Sequence, residues 1–169
     1  MEKRKLILDT ETTGLNFNDD RVIEIGIVEL IDNVLTQNYF HEYINPQKEI
    51  SLSAQKIHGI TNEKAIQEGT DLKFVLKEFE RDLEEVDLLI AHNVDFDFPV
   101  LNCEFIRSSL KTKFSEISKL CTMKSTTSLC NIPGKYGPKW PKLEELYNYL
   151  FSKNFQGAHR AINDVMACA

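Results

Sequence analysis

The chain has 169 residues, 42% of them hydrophobic and 27% charged, enough for one globular domain with one substantial core. No apolar run approaches the roughly 18 residues of a membrane span, and the charged first five residues lead into too short an apolar stretch for a signal peptide. Cys103, Cys121, Cys130 and Cys168 include no CxxC pair, which argues against a disulfide frame or zinc site and for free thiols in a reducing, cytoplasmic setting.

Residues 5–9 read as a continuous apolar strand ending in Asp9, followed by a turn at Thr12-Thr13-Gly14 and a polar loop from Asn16 to Asp20. Strands over 22–30 and 36–44, joined by a turn at Asp32-Asn33, complete an antiparallel meander. Glu24 reads as a strand-facing charge and His41 as a structural residue. One helical turn is predicted at 53–58, then a short helix to about 67 with Thr61 as N-cap. Asp71 caps a stronger helix, with Leu72, Val75, Leu76, Phe79 and Leu83 at helical spacing. A short strand over 87–91 precedes a helix over 95–110, capped by Asp95 and carrying Pro99 in its first turn. A strand at 117–121, a helix over 123–130 and an irregular loop over 132–141 follow. The chain closes with helices over 142–151 and from about 158 to Ala169, the last about three turns long. That last helix ends without a cap signal, as a truncated chain would. A meander followed by alternating helices and strands gives an α/β fold: a mixed central sheet, three strands antiparallel and the rest parallel, flanked by helices.

The net charge of −6 is unevenly spread. Residues 1–110 hold 11 Lys/Arg against 22 Asp/Glu, whereas residues 111–142 hold seven lysines (Lys111, Lys113, Lys119, Lys124, Lys135, Lys139, Lys142) against Glu116 alone. Such asymmetry points to one basic surface for a polyanion. The acidic total argues against tight non-specific duplex binding, leaving contact with a few nucleotides at a strand end.

Chemistry-bearing residues fall in three clusters: Asp9-Thr10-Glu11-Thr12-Thr13-Gly14-Leu15, His92-Asn93-Val94-Asp95-Phe96-Asp97 and His159-Arg160-Ala161-Ile162-Asn163-Asp164. Carboxylates brought together from distant stretches of chain repel unless cations sit between them. Hard oxygen ligands suit Mg²⁺ or Mn²⁺, and two such ions can clamp a phosphodiester. His159 would then be free to take a proton from water.

In order and spacing the clusters resemble the three motifs of DnaQ-like exonucleases of the DEDDh group, across essentially the whole chain as one exonuclease domain, 1–169. The resemblance implies a ribonuclease H-like fold and two-metal 3′→5′ removal of nucleoside 5′-monophosphates, with two Mg²⁺ or Mn²⁺ as cofactors. Asp9, Glu11 and Asp164 would hold one metal, Asp9 would bridge to the second, and Asp97 would reach the second through water. His159 would deprotonate the attacking water, in its neutral form, so activity should favour neutral to alkaline pH. The resemblance also places Thr12, Thr13, Gly14 and Leu15 at the terminal nucleotide, His58 and Ile60 at the 3′ end, and Asn93 and Phe96 in the pocket floor. Two departures stand out: Ser53 stands where the family often carries an acidic or other polar side chain, and residues 134–140 have no secure counterpart. The expected substrate is single-stranded 3′ ends, DNA ahead of RNA. Short-RNA trimming, or a polymerase- or complex-tethered subunit weakly active alone, are the alternatives.

Overall fold

The computed structural model describes residues 3–169; Met1 and Glu2, part of the charged N-terminus, lie outside them. Strands β1 (Arg4–Thr12), β2 (Val22–Ile31) and β3 (Val34–Asn45) form the expected meander. Asp32 and Asn33 close its second hairpin, both with positive φ (50° and 67°), as a tight two-residue turn requires. Helices α1 (Leu52–His58) and α2 (Asn62–Glu68) follow, then the short strand β4 (Thr70–Asp71) and α3 (Leu72–Asp82). Thr61 and Asp71 cap as expected, their side chains accepting from the Lys64 and Phe74 amides.

Strand β5 (Leu88–Ala91), helix α4 (Val94–Arg107) and strand β6 (Ser118–Cys121) extend the sheet on the other side of β1, with parallel pairing. The sheet order is β4-β3-β2-β1-β5-β6. This is the mixed, helix-flanked sheet of the ribonuclease H-like arrangement. One face packs on α3 and α4, where Phe79, Phe105 and Phe114 are fully buried against Leu6, Leu8, Ile25 and Ile27. The other face packs on the last helix, α8 (Ala161–Cys168), through Ile7, Val28, Leu30, Ile90 and Val165. Covered on both sides, nine of the ten β2 residues are buried, which explains its near-continuous apolar run.

Four features differ from the sequence reading. Asp95 does not cap α4: Asn93, in the left-handed region at φ 83°, closes the turn, and the Asp95 carboxylate pairs with Lys124 instead. The helix expected over 123–130 is two short ones, α5 (Thr122–Ser125) and α6 (Thr127–Cys130). Ser125, Thr126 and Thr127 each donate a hydroxyl to the carbonyl four residues back, and that competition interrupts the ladder. The loop over 132–141 contains a minimal hairpin, β7 (Pro133–Gly134) with β8 (Gly137–Pro138), before α7 (Leu143–Phe151). The closing helix begins at Ala161 and spans eight residues, because Gly157 (φ 76°) and His159 (φ 64°) turn the chain first.

Candidate active site

Side-chain alternation along β1 sends Leu6 and Leu8 toward α4 and Ile7 toward α8. Asp9 and Glu11 continue the Ile7 face, at the end of the strand where α8 begins. Opposite Asp9 in the ladder stands Gly26. A β-carbon there would lie 2.6 Å from the Ala161 carbonyl carbon, so only glycine lets the first turn of α8 rest on β2. That turn carries Asp164, and the segment before it carries His159. Ligand atoms of Glu11, His159 and Asp164 all lie within 4.8 Å of one another.

Asp97 arrives from the first turn of α4, 3% exposed. One carboxylate oxygen accepts from both the Thr10 amide (3.0 Å) and the Thr10 hydroxyl (2.8 Å). Thr10 is the positioning residue that the motif reading passed over.

The electrostatics are those of buried carboxylates repelling one another. Burial, then the neighbouring Asp97, Asp164, Glu11 and Glu24, push Asp9 well above the usual carboxylate range. Burial and the same neighbours push Glu11 up to about 8. Burial raises Asp97 to about 7 despite the Thr10 bonds, and raises Asp164 to about 6 despite an amide bond from His159. The Oδ2 atom of Asp164 accepts that bond at 3.0 Å, while its buried Oδ1 has no hydrogen-bond partner among the described residues. An oxygen-rich donor set, mutual repulsion and an orphaned carboxylate oxygen all fit a hard divalent cation.

These shifts bear on stability with a definite sign. Unfolded carboxylates titrate near ~4, whereas Asp164, Asp97 and Glu11 titrate near 6, 7 and 8 in the folded chain. Between those limits the folded metal-free chain keeps protons that the unfolded chain has lost, so stability falls as pH rises through the window. Thermal melts in EDTA should show Tm dropping from pH 5 to pH 8, by roughly 4–8 °C if the net cost is ~2 kcal/mol. Excess Mg²⁺ or Mn²⁺ should restore it, most at the alkaline end. A flat profile in EDTA would contradict this electrostatic account.

Glu24 is the other finding that the sequence did not disclose. It pairs with Glu11 in the ladder and is fully buried. Burial alone would raise its pKa, but the His41 bond, the Arg160 charge and the Ala161 amide outweigh that and hold it below normal. The distances are 2.7 Å to His41 Nε2, 3.2 Å to Arg160 Nη2 and 3.2 Å to the Ala161 nitrogen. Glu24 therefore ties the His159–Asp164 segment to β2. A carboxylate inside an apolar strand was the available signal; its partners, far along the chain, were not readable.

Asp9, Leu15, Asn93, Phe96, His159 and Asp164 share a cleft of about 610 Å³. Leu15 is 82% exposed at this cleft. The hydroxyls of Thr12 and Thr13 are committed within the loop, to the Gly14 carbonyl and to Asp20, and the Thr13 amide to the Arg21 carbonyl. A β-carbon at Gly14 would meet the Asp20 carboxylate at 2.5 Å and displace the group that holds the Thr13 hydroxyl and the Asn16 amide. His58 and Ile60 stand apart from the cleft lining. Ile60 is fully buried with Ile23, Ile50, Ala54 and Ala65. His58 is buried too: its Nδ1 accepts from the Ile60 amide at 3.0 Å, and its Nε2 has no partner among the described residues.

Residues 6–169 match the RNase_T family, described as "Exonuclease". The chain is 37% identical over 140 residues to the DNA polymerase III subunit epsilon of Buchnera aphidicola subsp. Schizaphis graminum, covering 79% of this chain and 58% of that protein. It is 35% identical over 170 residues to the same subunit of Buchnera aphidicola subsp. Acyrthosiphon pisum, covering 96% of this chain and 68% of the relative. Among solved structures it is similar to a zinc-bound E. coli ExoI–ssDNA complex, with a TM-score of 0.85 at 20% identity over 98% of this chain and 39% of that one.

Proposed function

The chain belongs to the RNase_T exonuclease family, and from that premise we propose that it removes nucleoside 5′-monophosphates one at a time from single-stranded 3′ ends, DNA ahead of RNA. The observation that carries this reading is the meeting of Glu11, His159 and Asp164 within 4.8 Å, at a cleft shared with Asp9 and beside the buried Asp97. Asp9, Glu11 and Asp164 would hold one Mg²⁺ or Mn²⁺, and Asp9 with Asp97 a second. Bound divalent cations would neutralise phosphodiester charge and favour ionisation of the attacking water.

The remaining roles belong to the chain. His159, exposed in the cleft wall, accepts the water proton, and its backbone is held by Asp164. The water oxygen bonds to phosphorus as the bond to the 3′ oxygen breaks. Leu15 wedges against the terminal base while Asn93 and Phe96 form the pocket floor. The Thr12-Thr13-Gly14 turn sets the position of Leu15. His58 and Ile60, both buried and apart from the cleft lining, would act at the 3′ end through packing behind the cleft rather than by contact. Apolar contacts like that of Leu15 accept any base.

The chain spans 58% of the first relative's length, so tethering to a polymerase is part of the proposal, supported by that relative's name and by the acidic total. No described helix is long and apolar enough to cross a membrane; cytoplasmic action is proposed with the rest. The test is digestion of 5′-labelled DNA and RNA oligonucleotides with Mg²⁺ or Mn²⁺. A ladder shortening from the 3′ end is expected, abolished by EDTA and slowed by about 10²–10⁴ in His159→Ala. No cleavage of either polymer by folded protein would sink the stand-alone enzyme and leave the partner-dependent subunit.

A further inference from the structure

The basic segment expected over 111–142 separates into committed and free lysines. Lys124 pairs with Asp95, Lys139 bridges both oxygens of Glu145 (2.6 and 2.8 Å), and Lys119 sits 3.9 Å over the Phe98 ring. Lys135 and Lys142 are exposed and have no ion pair among the described residues. Lys135 sits in the β7–β8 turn with Tyr136, 91% exposed, and this arm runs on through Trp140, 59% exposed, to Lys142 at the N-cap of α7. No Asp or Glu occurs between Glu116 and Glu144.

This arm is held at its base. His92 Nε2 donates to the Pro141 carbonyl at 3.0 Å, while its Nδ1 accepts from the Thr122 hydroxyl at 3.0 Å. Glu145 accepts from the Lys142 amide at 2.8 Å as well as from Lys139. A motif histidine next to Asn93 thus anchors the arm to the candidate active site, and Trp140, Lys142 and Phe155 line the same cleft as Asp9 and His159. A tryptophan recruited for packing would be buried; this one leaves much of its surface open on a cleft wall, with unpaired Lys142 in the same lining and Lys124 5.9 Å over its ring. An aromatic face interleaved with cations is the arrangement that holds single strands, by stacking bases and pairing phosphates.

Resting on the exonuclease reading, we infer that the arm is a second strand-binding site, where Trp140 stacks a base on the 5′ side of the scissile bond and Lys142 pairs with a neighbouring phosphate. Trp140 is the only tryptophan in the chain, so its fluorescence reports occupancy directly. The experiment titrates the protein in Ca²⁺ with thymidylate strands of two and eight nucleotides bearing a 3′-terminal phosphorothioate. The octamer should quench the fluorescence. Its affinity, followed by anisotropy of a 5′ label, should fall about ten-fold in Trp140→Ala and recover mostly in Trp140→Phe. Dinucleotide affinity should fall much less. Lys142→Ala should flatten the octamer's log K against log salt slope by about 0.7. Equal losses for both strands, or an unaltered octamer affinity in Trp140→Ala, would overturn the inference. Turnover of unmodified strands by the unsubstituted protein tests the catalytic reading separately. A length-dependent loss upholds the arm whether or not cleavage occurs.

Discussion

Asp9→Asn is expected to abolish hydrolysis and, at the same time, to make the metal-free protein more stable at pH 8. The two effects share one cause. Asp9 is pushed well above the usual carboxylate range by burial, then by Asp97, Asp164, Glu11 and Glu24, so ionising it at pH 8 works against the fold. Asparagine keeps the shape without the charge. The gain should appear at pH 8 as a higher urea midpoint for the asparagine variant. It should vanish near pH 4, where the aspartate is itself protonated. Activity moves the other way, because a carboxylate proposed to bind cations is lost. If those cations supply ~4 kcal/mol to the transition state, the rate falls by about 10³. Urea titrations in EDTA at pH 8 and pH 4, beside hydrolysis in Mg²⁺, measure both. A substitution that destabilises the metal-free chain at pH 8 would show that Asp9 has a structural role that the electrostatics do not describe.

That opposition of stability and chemistry also explains what the sequence disclosed. The strands and caps were legible because their causes are local: an apolar run, a Thr61 or Asp71 side chain three residues before the amide it serves. The carboxylate clusters were legible because three short motifs stand in a recognisable order and spacing, one at a strand end and two at helix starts. Asp95 was misread as a cap because the turn depends on Asn93 taking a left-handed conformation, which tertiary context decides. Residues that position the site were hidden for the same reason. The Pro141 carbonyl lies 49 residues from His92, and the Asp97 carboxylate 87 residues from Thr10. In a linear reading a histidine beside a motif asparagine looks like part of the motif; only the fold shows it gripping a distant arm.

Glu24 is the strongest case, and its replacement should be the most damaging single change outside the carboxylates proposed to bind metal. It is fully buried on β2 and accepts from Arg160 and the Ala161 amide, more than 130 residues away in the chain. Glu24→Ala strands that amide in the interior and leaves Arg160, 31% exposed along its side chain, without its partner. Breaking one side of a buried pair costs about 3–5 kcal/mol; partial solvent access for Arg160 places the expected value near 3. Glu24→Gln retains one acceptor and should cost roughly half as much. Activity should drop further than the folded fraction accounts for, since the same contacts seat His159 and Asp164 against β1. A double-mutant cycle with Arg160→Ala isolates the pair: removing the stranded cation should recover ~1.5 kcal/mol or more of the Glu24→Ala loss. Additive losses would mean that Glu24 acts through His41 or the Ala161 amide, and that Arg160 is a bystander at the start of α8.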